Sequence, residues 1–517
     1  MDKIRTIITQ DAEVDDQNSL RHFLLYANEV ELLGIVQTSS KFHWKGIPGA
    51  KKPEKAPQSK DFAFEENGAW DAEYRWTGTD WMQRVADDYE KDYPNLCRHA
   101  DGYPSPDYIR SIIKTGNIGY EGETEKSTEG SELIRNHILA DDCRPLYLQV
   151  WGGCNTIARA LMDIQDEYGK KAEWPQLRET ICKKVIITAC GEQDSCYRDY
   201  IAEEWPDMQF IKTLQMQSYA YPWYMMPEGE SKDTLRSSFM KNEILGVCHL
   251  TEGYCTWMDG TEYEGEPMHA QFGSNPNITS EWFGARMGME TPKPYDFLSE
   301  GDSPTFLPLL NWGFRTLEDF SYGGIAGRYH KVEGETNSKG QPLNMWDVSK
   351  DYYLLKPGLP LPRIAPPPYG PDPATVFSPD HKYMRVESMW PYVADIQRDF
   401  AARAHWAASD RYEDCEHAPD ITIQEGLNFT VEAGETLTLH HAVTARDGNP
   451  VTVRYRVYKD ASAPCGEVME IRVRGNTAEI EVPVVAQPGK QAHVIVCARS
   501  MGHYRLAHYQ HIIITIA

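Results

Sequence analysis

The sequence predicts an α/β fold, a mostly parallel doubly wound sheet followed by a smaller antiparallel β-sandwich. Three observations carry this. Apolar β-prone runs alternate with helix-spaced apolar residues from residue 4 to residue 211. After about residue 415 the texture changes to short alternating strands broken by turn signals. The chain has 517 residues, 41% of them hydrophobic, which is enough for two domains with cores of their own.

In chain order, residues 4–9 form a β-prone run. Residues 19–28 carry Leu20, Phe23, Leu24 and Ala27 at helical spacing, and residues 31–38 form a second apolar run, which completes a βαβ unit. The alternation continues with helices over 81–89 and 131–140, a strand over 146–150, a helix over 156–168, and strands over 185–188 and 208–211. A parallel sheet covered on both faces gathers ligands at the carboxyl ends of its strands, so motifs placed just after strands matter most. Residues 45–60, rich in Lys, Pro and Gly, predict a surface loop, and residues 354–373, with Ala365-Pro366-Pro367-Pro368, suit neither helix nor central strand. Val451, Val453, Tyr455 and Val457, then Ile471, Val473, Ile480, Val482, Val494, Ile495 and residues 512–516, alternate as strands, with a turn at Asp447-Gly448-Asn449-Pro450. Two domains are expected, residues 1–415 and residues 416–517.

With 52 Lys and Arg against 77 Asp and Glu, the formal charge of −25 repels phosphate backbones, so nucleic acid is not an expected partner. No apolar run approaches the roughly 18 residues of a membrane span. Eleven cysteines form no CxxC pair, which argues against a disulfide scaffold and a structural zinc site and for buried thiols in a reducing compartment. The chain as written starts without a signal peptide, so a cytoplasmic location is expected, or a secreted or periplasmic one if a leader has been removed.

The most informative stretch is Thr9-Gln10-Asp11-Ala12-Glu13-Val14-Asp15-Asp16, directly after the first strand. Four carboxylates in six residues repel one another unless a hard cation such as Ca²⁺ sits among them. The alternative is a solvated helix N-terminus, whose dipole favours carboxylates. Phe42, Trp44, Phe62, Phe64, Trp70, Tyr74, Trp76 and Trp81 crowd the region after the second strand. Such faces bind sugar rings, with Trp44 the expected contact; the alternatives are loop packing or a dimer interface. His503, His508 and His511 lie in strand-like sequence, where neighbours alternate faces, and Cys190 and Cys196 have no His near them in sequence, so both groups are expected to be structural.

The segment 7–20 resembles the amino-terminal signature of the inosine-uridine preferring nucleoside hydrolases, whose Asp-rich loop holds Ca²⁺. Trp151-Gly152-Gly153-Cys154-Asn155-Thr156-Ile157-Ala158 resembles that family's Gly-Pro-Leu-Thr-Asn-Ile-Ala turn, and Glu300-Gly301-Asp302-Ser303-Pro304 resembles its later His-Asp-Pro segment. Gly191-Glu192-Gln193-Asp194-Ser195, Gly301-Asp302-Ser303-Pro304-Thr305-Phe306 and Tyr322-Gly323-Gly324-Ile325-Ala326-Gly327-Arg328-Tyr329 are similar to a branch of nucleoside hydrolase-like proteins, some named cellulose-binding. In that branch an immunoglobulin-like domain follows the catalytic one, and His493-Val494-Ile495-Val496 and residues 504–516 resemble its last strands.

The resemblance implies Ca²⁺ held by Asp11, Asp16, the Asn155 carbonyl and Asp302, with Asp15 as general base on a water. Gln193 and Asp194 would meet sugar hydroxyls. Three departures stand out: Thr9 replaces the usual first Asp, Glu13 replaces a Gly, and Gly301 replaces the His that is a candidate leaving-group acid. Glu300 offers either a substitute acid or a surface loop residue. The implied function is Ca²⁺-dependent hydrolysis of glycosidic bonds in a carbohydrate, an O-glycoside or oligosaccharide. The alternatives are a nucleoside N-ribohydrolase and a non-catalytic carbohydrate-binding protein, and a homo-oligomer is open.

Overall fold

The computed structural model describes the chain except residues 1–2, 53–67, 214–215, 221–222, 225, 264, 266–291, 349–351, 355–382, 386–387 and 463–468. The first strand, β1 (Ile4–Gln10), is buried along nearly its whole length. Its polar residues are satisfied by the neighbouring strand: Thr6 and Thr9 donate to the Tyr147 and Gln149 carbonyls at 3.0 and 3.2 Å. Helix α1 (Val14–Leu24), strand β2 (Val30–Gln37), helices α2 (Trp81–His99) and α3 (Pro106–Ile112), and strand β3 (Ile113–Thr115) follow. Then come α4 (Glu129–Leu139), β4 (Leu146–Val150), α5 (Asn155–Tyr168), α6 (Trp174–Lys184), β5 (Val185–Ala189), β6 (Gln209–Lys212), β7 (Tyr329–Lys331) and β8 (Met345–Val348).

These strands build one eight-stranded sheet in the order β3-β2-β1-β4-β5-β6-β8-β7. All its pairings are parallel except β7 with β8. Separate apolar cores lie on its two faces, one around Phe23, Trp151 and Phe306, the other around Ile7, Leu148 and Ile187. The loops leaving the carboxyl ends of the central strands are bonded to one another. Thr38 N donates to the Gln10 carbonyl and Trp151 N to the Thr9 carbonyl at 2.8 Å each, and Cys190 N to Val150 at 2.8 Å. Lys41 N and Gly153 N donate to Gln193 and Ser39 at 2.7 and 3.1 Å. The site is assembled on this edge.

The first helix departs from expectation. It begins at Val14, not at residue 19, and ends at Leu24 in a run of tight turns. Asp15 and Asp16 occupy its first turn, where the helix dipole favours carboxylates, so the acidic loop and the helix start are one feature. Helix α2 runs ten residues past residue 89, to His99, and carries Pro94 within it. Much of the predicted 45–60 loop and of the 354–373 stretch, with Phe62 and Phe64, lies outside the described residues.

Strands β9 (Tyr352–Leu354) and β10 (Tyr383–Arg385) pair with each other. A long helix, Val393–Ala408, precedes β11 (Asp420–Ile423), β12 (Asn428–Val431), β13 (Thr436–Thr444), β14 (Val451–Val457), β15 (Glu470–Arg474), β16 (Thr477–Glu481), β17 (Gln491–Ser500) and β18 (Ala507–Ile516). They form two four-stranded sheets, β11-β13-β16-β15 and β12-β18-β17-β14, packed around Leu439, Ile480, Val494 and Ile512 as an immunoglobulin-like sandwich. One pairing differs from an all-antiparallel expectation, since β12 runs parallel to β18. No helix among the described residues is long and apolar enough to cross a membrane. The ten described cysteines are free thiols, seven of them buried.

Candidate metal centre

The loop after β1 turns sharply through Ala12, whose φ of +75° lies in the left-handed region. Two glutamines hold it there: Ala12 N donates to Gln10 Oε1 at 2.8 Å, and Gln17 Nε2 donates to the Ala12 carbonyl at 3.1 Å. The turn buries Asp11 completely and delivers Glu13 as the cap of α1, with Asp15 and Asp16 following in the first turn. Asp11 N donates to Asp16 Oδ1 at 3.0 Å, which fixes the two carboxylates relative to each other.

Asp302 arrives from a distant part of the sequence. It caps the short 3-10 turn Ser303–Thr305 and is 1% exposed. A relay ties this turn to the sheet: Trp151 Nε1 donates to Thr305 Oγ1 at 2.7 Å, and Thr305 Oγ1 lies 2.8 Å from Gln149 Oε1 on β4. Asp15, Asp16 and Asp302 thereby bring one ligand atom each within 4.8 Å of one another, and Asp11, Glu13 and His43 form a second such set. The two sets adjoin.

The residues fit a cation. Asp11 Oδ2 and Asp302 Oδ2 are buried with no hydrogen-bond partner among the described residues. Burial, then the charges of Glu13 and Asp11, push the Asp15 carboxyl up to about 8. Burial and neighbouring carboxylates also hold Asp16 and Asp302 well above the usual range. Burial raises Asp11 too, but His43 and hydrogen bonding outweigh it and leave this carboxyl below its usual value. Carboxylates this crowded keep protons unless a cation replaces them.

The other predicted site residues have partners of their own. Asn155 opens α5, and its side chain joins loops: Nδ2 donates to Ser39 Oγ and the Asn117 carbonyl at 2.9 Å each, and Oδ1 accepts from Thr38 Oγ1. The part of this turn that meets Asp11 is Gly152, where a Cβ would stand 2.8 Å from Asp11 Cβ. Asp194, 1% exposed and raised to about 7 by burial, gives its two oxygens to the backbone N–H groups of Asn155 and Cys196, at 2.9 and 3.0 Å. Its expected contact with sugar hydroxyls is corrected to a loop-fixing role. Gln193 Nε2 holds the Trp151 and Cys190 carbonyls, while its Oε1 is buried without a partner among the described residues.

Trp44 is also corrected. It is 0% exposed, stacks on Tyr74 at 4.7 Å and donates its indole N–H to the Ala69 and Ala72 carbonyls, so it pins its own loop and offers no face to a sugar. Glu300 is neither a surface residue nor a free acid. It is 0% exposed and accepts from Tyr254 and Ser303, and from His22 Nδ1 at 2.7 Å. At Gly301 a Cβ would stand 2.8 Å from Asp15 Oδ2, so any side chain there crowds the carboxylate. Sequence reasoning missed His43, Ser299 and the His22–Glu300 pair. His43 stands six residues past the end of β2, on the edge where site residues gather, so its position was a usable signal.

Residues 5–329 match the family described as cellulose-binding Sde182, nucleoside hydrolase-like domain, and residues 436–516 match the C-terminal domain of the cellulose-binding protein Sde0182. A search of curated proteins finds no match. Among solved structures, the chain is similar to a nucleoside hydrolase-related hypothetical protein from Saccharophagus degradans that is associated with carbohydrate metabolism. The two share 22% identity over 100% of both chains with a TM-score of 0.66, a likeness of fold. A plant nucleoside hydrolase aligns over 77% of this chain and 99% of its own at 9% identity and a TM-score of 0.31. With the nucleoside hydrolase-like model covering most of its length and the acidic loop at the end of β1, the chain belongs to the cellulose-binding Sde182, nucleoside hydrolase-like family.

Proposed function

We propose that the chain is a Ca²⁺-dependent hydrolase of glycosidic bonds in a carbohydrate, with the chemistry in residues 1–415 and the sandwich of residues 416–517 as a second domain. The observation that carries this reading is the convergence of Asp15, Asp16 and Asp302 within 4.8 Å at the carboxyl end of the central strand, with a buried oxygen of Asp302 that has no hydrogen-bond partner among the described residues. Ca²⁺ bound there supplies a positive centre for vicinal sugar hydroxyls and a polarised water.

This chain's own residues do the rest. Asp16 and Asp302 bind, and the Asp11 N–H orients Asp16. Asp15 is the least enclosed of the three, and Ser299 Oγ donates to its Oδ2 at 3.3 Å, which leaves Oδ1 to take a proton from water. Proton removal is timed to the loss of the leaving group from an oxocarbenium-like sugar. Gly301 stands where the nucleoside hydrolases carry a His, so residue 301 offers no imidazole to protonate a departing base, and a departing O-linked sugar needs its proton from an acid placed elsewhere.

The test is a turnover screen with Ca²⁺ against nucleosides, aryl glycosides and oligosaccharides. Hydrolysis confined to the glycosides and oligosaccharides is expected, and efficient release of base from inosine or uridine would contradict it. Asp15→Asn should keep the metal and lose turnover by roughly 10² to 10⁴. The family's cellulose-binding description favours a second reading, a site that holds sugar without turnover. Sugar binding with silence across the whole screen would select it.

A further inference from the structure

The sandwich reaches the metal centre through one helix. Arg499, on β17, grips Asp395 with both terminal guanidinium nitrogens, Nη2 donating to Oδ2 at 2.8 Å, and Tyr509 on β18 donates its hydroxyl to the same oxygen. Asp395 stands in the first turn of the helix Val393–Ala408, and its side chain is only 5% exposed. A two-pronged pair of this kind fixes direction as well as distance. Truncating Arg499 would leave a buried carboxylate short of its counter-charge, and the start of the helix would shift to relieve it.

The same helix carries the side chains that surround the supports of Glu300. Gln397, fully buried, donates Nε2 to the Tyr219 hydroxyl at 2.9 Å, and the Tyr219 carbonyl accepts from Glu300 N at 3.0 Å. Phe400, three residues on, stacks on the His22 ring with centroids 4.0 Å apart and packs tilted against Tyr254 at 5.5 Å. His22 and Tyr254 both donate to the Glu300 carboxylate, which also accepts from Ser303, next to Asp302. One end of the helix is thus clamped by the sandwich, and its buried face seats Tyr219, His22 and Tyr254. A rigid element bonded at both places passes on position as well as stability.

We propose that the sandwich is a positioning element of the metal centre: Arg499 and Tyr509, through Asp395 and the helix it starts, set the turn that presents Asp302 to the cation. This rests on the reading of Asp302 as a Ca²⁺ ligand, and the experiment keeps the two apart.

Ca²⁺ affinity of the full chain is measured by isothermal titration at a temperature where every variant is folded, together with hydrogen exchange of residues 299–306 in the absence of Ca²⁺. Arg499→Ala should raise the Kd by about tenfold and speed exchange in that segment. Arg499→Lys, which keeps a charge beside Asp395, should recover much of both. Leu439→Ala opens a cavity in the core of the sandwich alone, so it should lower the melting temperature and leave Kd and exchange at their wild-type values. If Arg499→Ala fails to fold, Tyr509→Phe removes a single hydroxyl and should move both readings the same way. An unchanged Kd in Arg499→Ala, or an equal change in Leu439→Ala, overturns the positioning role alone. Faster exchange in Arg499→Ala with no Ca²⁺ binding by the wild type overturns the metal reading and supports the link from sandwich to turn. Neither Ca²⁺ binding nor a change in exchange overturns both.

Discussion

At Gly301 a single added carbon would stand 2.8 Å from Asp15 Oδ2, so the residue that replaces a His of the nucleoside hydrolases also makes room for the carboxylate assigned to the water. Gly301→Ala should therefore displace Asp15 and cut turnover by roughly 10²-fold, the cost of a misplacement near 1 Å, with the Ca²⁺-induced stabilisation retained. Parallel measurements of kcat and of melting temperature with and without Ca²⁺ check this; unchanged kcat would mean that Asp15 is not the base. Ala12 is the second telling residue. Its φ of +75° costs roughly 1–2 kcal/mol against an ordinary backbone. Ala12→Gly should be neutral or stabilising by up to about 1 kcal/mol, and Ala12→Val should destabilise, as read from urea unfolding midpoints. Asp11, Glu13, Asp15 and Asp16 were legible as a cluster because crowded carboxylates demand an explanation, whereas Asp302, distant in the sequence, was reached only through the resemblance of its segment. Trp44 and Asp194 were misread because the sequence shows a side chain's chemistry but not which backbone groups it will meet after folding.

Among the elements, β1, β4 and β5 were legible because a strand covered on both faces is a continuous apolar run, and all three are buried along nearly their whole length. The start of α1 was not, because Asp15 and Asp16 carry the polar pattern of a loop while occupying a first helical turn. Strand β13 was equally opaque: it reads Thr-Leu-Thr-Leu-His-His-Ala-Val-Thr and is buried only at scattered positions. The Asp302 turn depends on its neighbours. Glu300 accepts from His22, Tyr254 and Ser303 in full burial, so Glu300→Ala would leave three polar groups without their acceptor. A loss of roughly 3 kcal/mol is expected, together with weaker Ca²⁺ binding through Asp302. Chemical denaturation and Ca²⁺ titration of the same variant measure the two effects, and stability equal to wild type would show that the turn does not rely on Glu300.

The whole molecule is held together across its two parts by one apolar core, in which Tyr458, Ile495, Tyr504 and Tyr509 join Trp312, Val393 and Phe400. Asp395, on the helix Val393–Ala408, accepts from Arg499 and from Tyr509. Near the same seam His493 Nδ1 and His511 Nε2 lie 2.9 Å apart, with Tyr322 and Phe314 against them. Burial, with Arg315 on both and His493 acting on His511, pushes these imidazoles down to about 4 and about 3. Both stay neutral when folded, while the unfolded chain takes up protons below about pH 6.5. The unfolded state therefore binds more protons as pH falls, and stability is lost from about pH 6.5 towards pH 4. His511→Gln should flatten that decline by roughly 1–2 kcal/mol per site, as measured by melting temperature between pH 7 and pH 4.5. The account turns on the metal centre, and its most direct test is melting temperature against free Ca²⁺ for the wild type, Asp16→Ala and Asp302→Ala. An ion that binds only the folded chain adds about 2.7 kcal/mol at a hundredfold excess over its Kd. The predicted result is a rise of several degrees in the wild type that nearly vanishes in both variants; a wild-type melting temperature indifferent to Ca²⁺, or a full response in Asp302→Ala, would contradict it.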